Sequence, residues 1–346
     1  MKVIINLKKL HTASHTRGIG VYTRHLIAAL QKAYPADHFV PTSYSHADLK
    51  GDVLHYPYFD PFFLSLKRSR KIPTIVTVHD LIPLRFPRHF KPGLRGRLKW
   101  WLQRQALRQV DHVITDSDSS KSDILKLVAL PPSRVSVIPL GPNQSEVVPA
   151  KLSKKLIAQY ALPSKYLLYV GDLNWNKNLT GLIKAFTALK DKDLRLVLVG
   201  KVFTDKPNIP QYHALTKAIA ASGKAESVLL LGYVPAHHLS LIYSCATLYV
   251  QPSWYEGFGL PVLEAMKYGC PVASSSRGSL REIGGEAVAY FDPAKDMIEV
   301  IEALLRSPAR LTELSQLGLA RAKQFSWAKT ARLTHAVYEK VLAPTP

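Results

Sequence analysis

Pro252-Ser253-Trp254-Tyr255-Glu256-Gly257-Phe258-Gly259-Leu260-Pro261-Val262-Leu263-Glu264-Ala265-Met266 is the stretch on which the fold of this chain turns. The apolar run just before it, Ala246 to Val250, reads as a buried parallel strand. Pro261 suits the first position of a helix, where its missing N–H costs nothing and its φ is already set. That helix runs through Leu263, Glu264 and Met266 toward Gly269, which suits the residue just past a helix end. Glu256 is therefore expected on a strand-to-helix loop and Glu264 about one turn into the helix. Gly257 and Gly259 let the backbone between them approach a ligand closely, beside the positive end of a helix. Two carboxylates flanking such an anion site suit a ligand carrying both phosphates and hydroxyls, such as a nucleotide-sugar. An ordinary crossover with two solvated glutamates is the bland alternative. The full string from Glu256 to Ala265 is much more specific than the pair of acids alone.

With seven residues between Glu256 and Glu264, and Gly-Phe-Gly-Leu-Pro among them, the stretch resembles the Glu-x7-Glu signature of retaining glycosyltransferases of family 4. The resemblance implies the GT-B fold, an α/β architecture of two Rossmann-like doubly wound domains facing a central cleft. The remainder of the chain is compatible with it. At 346 residues there is length for two domains, and 47% hydrophobic with 21% charged residues is a globular composition. Lys2 to Asn6, Ile72 to Val78, Val110 to Thr115 and Val135 to Val137 read as strands alternating with helical segments, and the pattern repeats from Tyr166 onward. The polar, proline-bearing stretch from Gly141 to Lys151 is the expected boundary. It separates an acceptor domain, 1–145, from a donor domain, 146–327. In the family the last helix returns to the N-terminal domain, which assigns 328–346 to it.

Three further motifs carry the resemblance. Thr16-Arg17-Gly18-Ile19-Gly20-Val21-Tyr22 resembles the family's N-terminal glycine loop and lacks the third glycine of a dinucleotide fingerprint. His79-Asp80-Leu81-Ile82-Pro83 follows a strand, where open α/β sheets place ligands. It is similar to a string in mannosyltransferases whose histidine reaches the transferred sugar. Gly171-Asp172-Leu173-Asn174-Trp175-Asn176-Lys177 follows the first strand of the second half.

The resemblance thus implies catalytic roles for His79, Glu256 and Lys177, and donor binding by Gly18, Gly20, Gly171, Phe258, Gly259, Leu260 and Glu264. Glu264 is expected to accept the ribose hydroxyls, Glu256 to lie near the sugar, and Lys177 with the amides of 258–260 to stabilise the diphosphate. The family's usual arginine near this lysine is missing: Asp172 and Asn176 occupy its positions. Lys201 and Arg277 are the candidate substitutes.

The resemblance implies metal-independent chemistry with no cofactor beyond the nucleotide-sugar, and the lack of an Asp-x-Asp at a suitable strand end agrees with it. The favoured donor by resemblance is GDP-mannose, with a UDP-sugar as the other candidate. A polysaccharide or lipid-linked glycan is the expected acceptor. A nucleotide-sugar 2-epimerase of the same fold, or a non-catalytic basic protein that binds membrane or polyanion, is the alternative.

The formal charge of +21 demands an anionic partner. Between Ser65 and Val110 there are twelve Lys or Arg residues and one acid, Asp80. Within it, Leu94 to Arg108 reads as an amphipathic helix, with Leu94, Leu98, Trp101, Leu102 and Ala106 on one face. Arg95, Lys99, Trp101 and Arg104 are the residues expected to lie on an anionic membrane surface. The competing reading is a helix packed on the core with a solvated basic face. Nucleic acid is disfavoured because no recognised module accompanies the charge. Cys245 and Cys270 offer neither a disulfide framework nor metal-ligand spacing. The N-terminus enters a strand-like run directly and no segment approaches eighteen consecutive apolar residues. The expected location is cytoplasmic, peripheral on the inner face of the cell membrane.

Overall fold

The computed structural model describes residues 1–7, 18–42, 50–66, 72–143 and 148–343. The chain divides into two compact units, Met1–Gly141 with Phe325–Pro346, and Pro142–Gln324.

In the first unit, short β-branched runs such as Val3-Ile4-Ile5 and Ile75-Val76 are buried on both faces, the usual state of strands in a parallel sheet. The six strands are β1 (Lys2–Asn6), β2 (His38–Thr42), β3 (Val53–Tyr56), β4 (Thr74–Thr77), β5 (His112–Thr115) and β6 (Val135–Val137). They pair in the order β2-β1-β3-β4-β5-β6, all parallel. The register places Tyr56 opposite Val76 and Thr77 opposite Ile114. Ile4, Leu54, Val76, Val113, Ile124 and Val135 anchor the core on this sheet. Strand β2 escapes the sequence pattern because Pro41 interrupts it. An edge strand tolerates a proline whose missing N–H would disrupt a central one.

The C-terminal helix Trp327–Leu342 belongs to this unit. Its Ser326 cap accepts the Lys329 N–H at 3.1 Å, and the Trp327 ring stacks on His25 at 5.0 Å. His335 Nε2 lies 2.7 Å from Asp37, and Tyr338 hydroxyl 2.7 Å from His55 Nδ1. These paired contacts add orientation to the apolar burial that holds the helix on the unit.

The second unit repeats the architecture with β7 (Tyr166–Val170), β8 (Arg195–Val199), β9 (Val228–Leu231), β10 (Leu248–Gln251), β11 (Val272–Ser275) and β12 (Ala289–Phe291). Their order is β12-β11-β10-β7-β8-β9, again parallel. From β7 the chain runs outward through β8 and β9, then returns to the other side of β7 for β10. The strand order therefore reverses between β7 and β10, and the crevice beyond the carboxyl ends of such a pair is where open α/β sheets hold ligands. Among the described residues no helix is long and apolar enough to cross a membrane.

Candidate functional site

The loops leaving β7 and β10 carry the residues singled out in the second half, and the structure joins them. Glu256 sits on the loop after β10, only 6% exposed. Its Oε1 accepts from Lys177 Nζ at 2.7 Å, Ser253 Oγ at 2.7 Å and Gln251 Nε2 at 2.9 Å; Oε2 accepts from Lys177 Nζ at 2.9 Å. A carboxylate has about four acceptor positions, so Glu256 is nearly saturated and its charge is matched within the site. Lys177 spends two of its three N–H donors on this pair.

The two loops are also laced through their backbones. Trp254 N–H donates to Asn176 carbonyl at 2.7 Å, Asn176 Nδ2 to Tyr255 carbonyl at 3.1 Å, and Asn178 Nδ2 to Pro252 carbonyl at 3.0 Å. Asn176, at a position where the resemblance expects an arginine, is thus a buried tie between loops. Of the candidate substitutes, Arg277 pairs with Asp292 at 2.7 Å and Lys201 lies 3.9 Å from Asp205. Both are half-exposed, so neither charge is committed to a dry site.

A third loop, after β11, clamps the motif from outside. The Ser279 hydroxyl lies 2.8 Å from Phe258 carbonyl and 3.1 Å from that of Glu256, and the Ser279 N–H donates to Glu256 carbonyl at 3.2 Å. Gly278 makes this approach feasible: at φ +64° a Cβ would lie 2.4 Å from Glu256 carbonyl oxygen. Gly259, at φ +99°, turns the chain into the helix Leu260–Lys267, whose second residue is Pro261. The helix ends ahead of Gly269, at φ +71°.

On that helix Glu264 is buried, 8% exposed. Tyr243 hydroxyl donates to its Oε2 at 3.1 Å. Burial pushes its carboxyl up to about 7; the Tyr243 hydrogen bond, the Lys267 charge and the Asn143 amide oppose this without cancelling it. Glu256 and Glu264 thus differ in kind: one is paired with a lysine, the other is buried with hydrogen bonds that do not offset its desolvation. Gly171 ends β7, its N–H donating to Val199 carbonyl at 2.9 Å, and a Cβ there would lie 2.6 Å from Tyr169 hydroxyl.

The first unit holds the other predicted group. His79 follows β4 and Asp116 follows β5, adjacent parallel strands whose exits lie side by side. The ring Nδ1 lies 2.7 Å from Asp116 Oδ2 and Nε2 lies 3.2 Å from Pro57 carbonyl. Tyr22 meets the ring edge-on at 4.7 Å. The neighbour expected from sequence, Asp80, instead accepts the Ile82 N–H at 3.0 Å and acts on His79 through space. Burial lowers the His79 pKa, but the Asp116 charge and hydrogen bond, the Asp80 charge and the Pro57 carbonyl outweigh it, and the net shift is upward. His55 goes the other way: burial and then the His79 charge bring it to about 3. Asp116 escaped sequence reading because 37 residues separate it from His79 and no local pattern joins them.

Gly18 and Gly20 lie in the first turn of the helix Gly18–Ala33, from which Tyr22 reaches Thr77 Oγ1 at 3.1 Å. Thr16 and Arg17, the start of the expected glycine loop, lie outside the described residues.

The helix Gly93–Arg108 turns its faces opposite to the core-packed reading. Leu94 is 83% and Trp101 56% exposed, and Leu98 and Leu102 are exposed too. Gly96, Gln103 and Leu107 face inward, and Ala106, expected on the outer apolar face, packs with the core. The cause is a buried glutamine: Gln103 Oε1 accepts from Ser65 N–H, Ser65 Oγ and Leu66 N–H at 3.0–3.2 Å, standing in for a peptide group. Arg95 is exposed, Lys99 lies 5.4 Å over the exposed Phe63 ring, and Arg104 is half-buried. Among the described residues no group of three or more His, Cys, Asp or Glu is arranged to hold a metal ion.

Comparison with known proteins identifies the family and the fold. Residues 154–320 match the family described as "Glycosyl transferases group 1", and residues 39–145 match "Glycosyltransferase Family 4". The chain is 30% identical over 296 residues to O-antigen chain mannosyltransferase B of Escherichia coli, covering 83% of this chain and 75% of that protein. It is 30% identical over 293 residues to the MMP alpha-(1->4)-mannosyltransferase of Mycolicibacterium hassiacum, covering 78% and 66%. Among solved structures it is similar to Anabaena HepE in complex with UDP-glucose, with a TM-score of 0.76 at 15% identity over 98% of this chain and 100% of that one.

Proposed function

This chain belongs to glycosyltransferase family 4 and has the GT-B fold, and from that premise we propose that it transfers mannose from GDP-mannose to a polysaccharide or lipid-linked glycan with retention of configuration. The observation that carries the proposal is the pair of acids at the strand-order reversal of the second unit. Glu256 is locked to Lys177, and Glu264 is buried deeply enough that the Tyr243 and Asn143 hydrogen bonds do not offset the cost of its charge. A ribose diol supplies two donors, so the unit Pro142–Gln324 takes the nucleotide with Glu264 on the ribose. Lys177, through its third N–H, and the backbone of Phe258, Gly259 and Leu260 would meet the diphosphate as the sugar departs. Glu256, through Oε2, which accepts only from Lys177 where Oε1 accepts three bonds, would meet a sugar hydroxyl. The unit Met1–Gly141 takes the acceptor, with His79 near the transferred sugar. Charge neutralisation by these groups asks for no metal ion.

Mannose is favoured by the names of two relatives, both mannosyltransferases, which also support transfer over epimerisation. The deciding experiment measures thermal stability against millimolar GDP, UDP, ADP and dTDP, for the native chain and Glu264→Ala. A ligand at a hundred times its dissociation constant stabilises by about 2.7 kcal/mol. A GDP-selective shift that weakens in the variant supports the proposal. A UDP-selective shift overturns the donor, and no shift with any nucleotide overturns the site.

The outward apolar stripe of Gly93–Arg108 supports a second element of the proposal, peripheral attachment to an anionic bilayer. Exposed Leu94, Leu98, Trp101 and Phe63 stand beside Arg95, Arg97 and Lys99, the composition of a helix lying in a membrane interface.

A further inference from the structure

The first unit contains a buried carboxylate that none of the roles above uses. Asp116 is 3% exposed, and its Oδ2 lies 2.7 Å from His79 Nδ1. Its Oδ1 is out of water and, among the described residues, has no hydrogen-bond partner. An ionised carboxylate so placed is sustained only by a neighbouring positive charge. Among the described residues, Tyr22 and His55 beside the pair are neutral and Asp80 is acidic, which leaves the His79 ring, in direct contact, as the group placed to supply a cation.

The other ring nitrogen leads to the same assignment. His79 Nε2 lies 3.2 Å from Pro57 carbonyl, which only accepts. A neutral imidazole carries one N–H and leaves the other nitrogen facing an acceptor; only the imidazolium donates to both. The two bonds are unequal. At 2.7 Å the one to Asp116 has the length of a charge-assisted bond, whereas the 3.2 Å bond to Pro57 is at the long limit and is readily exchanged. The backbone of His79 is pinned as well, since Ser120 Oγ donates to its carbonyl at 3.0 Å.

We propose that Asp116 is the positioning residue for His79: it holds the ring as an imidazolium and leaves Nε2–H as the donor offered to a sugar or phosphate oxygen. This rests on the placement of His79 near the transferred sugar under Proposed function. In this state His79 cannot abstract a proton; it offers a fixed hydrogen bond and a positive charge to an oxygen of the bound substrate. The Asp116 charge and hydrogen bond shift the His79 pKa upward, in the direction that favours the charged ring, and the low value of His55 keeps that neighbouring ring neutral. Loss of the His79 proton should then set the basic limb of the pH profile. Glu264, in the other unit, must be ionised to accept ribose hydroxyls and sets the acidic limb.

Two measurements test this. In the ¹⁵N-histidine NMR spectrum of the whole chain, assigned with His79→Gln, both His79 ring nitrogens should be protonated at pH 7. A neutral His79 ring there overturns the proposal. This arm needs no donor sugar, so it stands apart from any failure of the transfer reaction. In the second arm, Asp116→Asn keeps the side-chain shape and removes the charge. The basic limb of kcat/KM should move down by at least one pH unit, so activity at pH 8 falls about tenfold or more while activity near pH 6 is largely retained. The acidic limb and the GDP-dependent thermal shift should stay in place. A profile scaled uniformly at every pH, as a purely structural role would produce, overturns the proposal, as does one superimposable on the native curve.

Discussion

Glu264→Gln separates the two things asked of Glu264, because they have opposite signs. The native carboxyl is raised from an ordinary value of 4.5 to about 7 by burial. The folded chain therefore holds this proton more tightly than the unfolded chain. Its contribution favours folding below pH 4.5 and is lost as pH rises through about 7. A displacement of that size is worth up to about 3 kcal/mol at 1.36 kcal/mol per pH unit. Glutamine keeps the shape and the Tyr243 hydrogen bond but does not titrate. Relative to the native chain, the variant should gain stability steadily between pH 4.5 and 7.5, by about 1–3 kcal/mol in all, then level off. Urea unfolding at a series of pH values reads this directly. In the presence of GDP the variant loses ground. If the carboxylate accepts the ribose diol, a hundredfold loss of affinity cuts the stabilisation at a fixed GDP concentration from about 2.7 to about 0.4 kcal/mol. A stability difference independent of pH would refute the argument that burial leaves the Glu264 charge uncompensated. Undiminished GDP stabilisation would refute its assignment to the ribose.

Three other perturbations probe the surrounding structure. Gly278→Ala should lower stability by more than the ~1–2 kcal/mol that left-handed backbone alone costs a side chain, because its Cβ meets Glu256 carbonyl oxygen at 2.4 Å. Gly223→Ala, at φ +66° with nothing within 4 Å, is the control and should cost only the backbone part in the same melt. Lys177→Met leaves Glu256 buried without its cation and should cost about 3 kcal/mol. Adding Glu256→Gln should recover most of that in urea melts while transfer stays abolished. Leu98→Ser with Trp101→Ser should weaken binding to anionic vesicles severalfold in co-sedimentation, and binding of the native chain should fall with salt. Equal binding to neutral vesicles, or no effect of the pair, would remove the interface.

What was legible in the sequence was what the chain writes locally. Buried parallel strands are contiguous apolar runs, so β1 and β7 stood out, and the Glu256–Glu264 stretch carried its own turn, helix start and spacing. What the sequence left unread depends on strands lying side by side. The His79–Asp116 pair exists because β4 and β5 are neighbours, and the clamp on the Glu256 loop exists because β10 and β11 are. Neither adjacency leaves a mark within either segment.

The helix Gly93–Arg108 left two readings open in the sequence. Core packing would turn the apolar face inward, because burying apolar area is the largest favourable term in folding. Here the inward face is organised by Gln103, which satisfies the Ser65 and Leu66 backbone groups that would otherwise be buried without partners. Leaving such groups unpaired costs about 1–3 kcal/mol each, comparable with burying one leucine. The polar solution on one side thus competes with the apolar stripe on the other, and leucine and tryptophan are left facing outward. On a chain with formal charge +21, an apolar face ringed by arginine and lysine has a use that folding alone does not give it. The same reasoning applies to Glu264 and Asp116. Each is a buried carboxylate whose charge the described residues do not fully compensate, Glu264 through burial and Asp116 through an oxygen with no donor, and each lies where the fold brings strand exits together or runs a helix away from one. A polar group that folding leaves unsatisfied is better explained by a ligand or a reacting partner than by stability, and that is the argument by which this site is assigned.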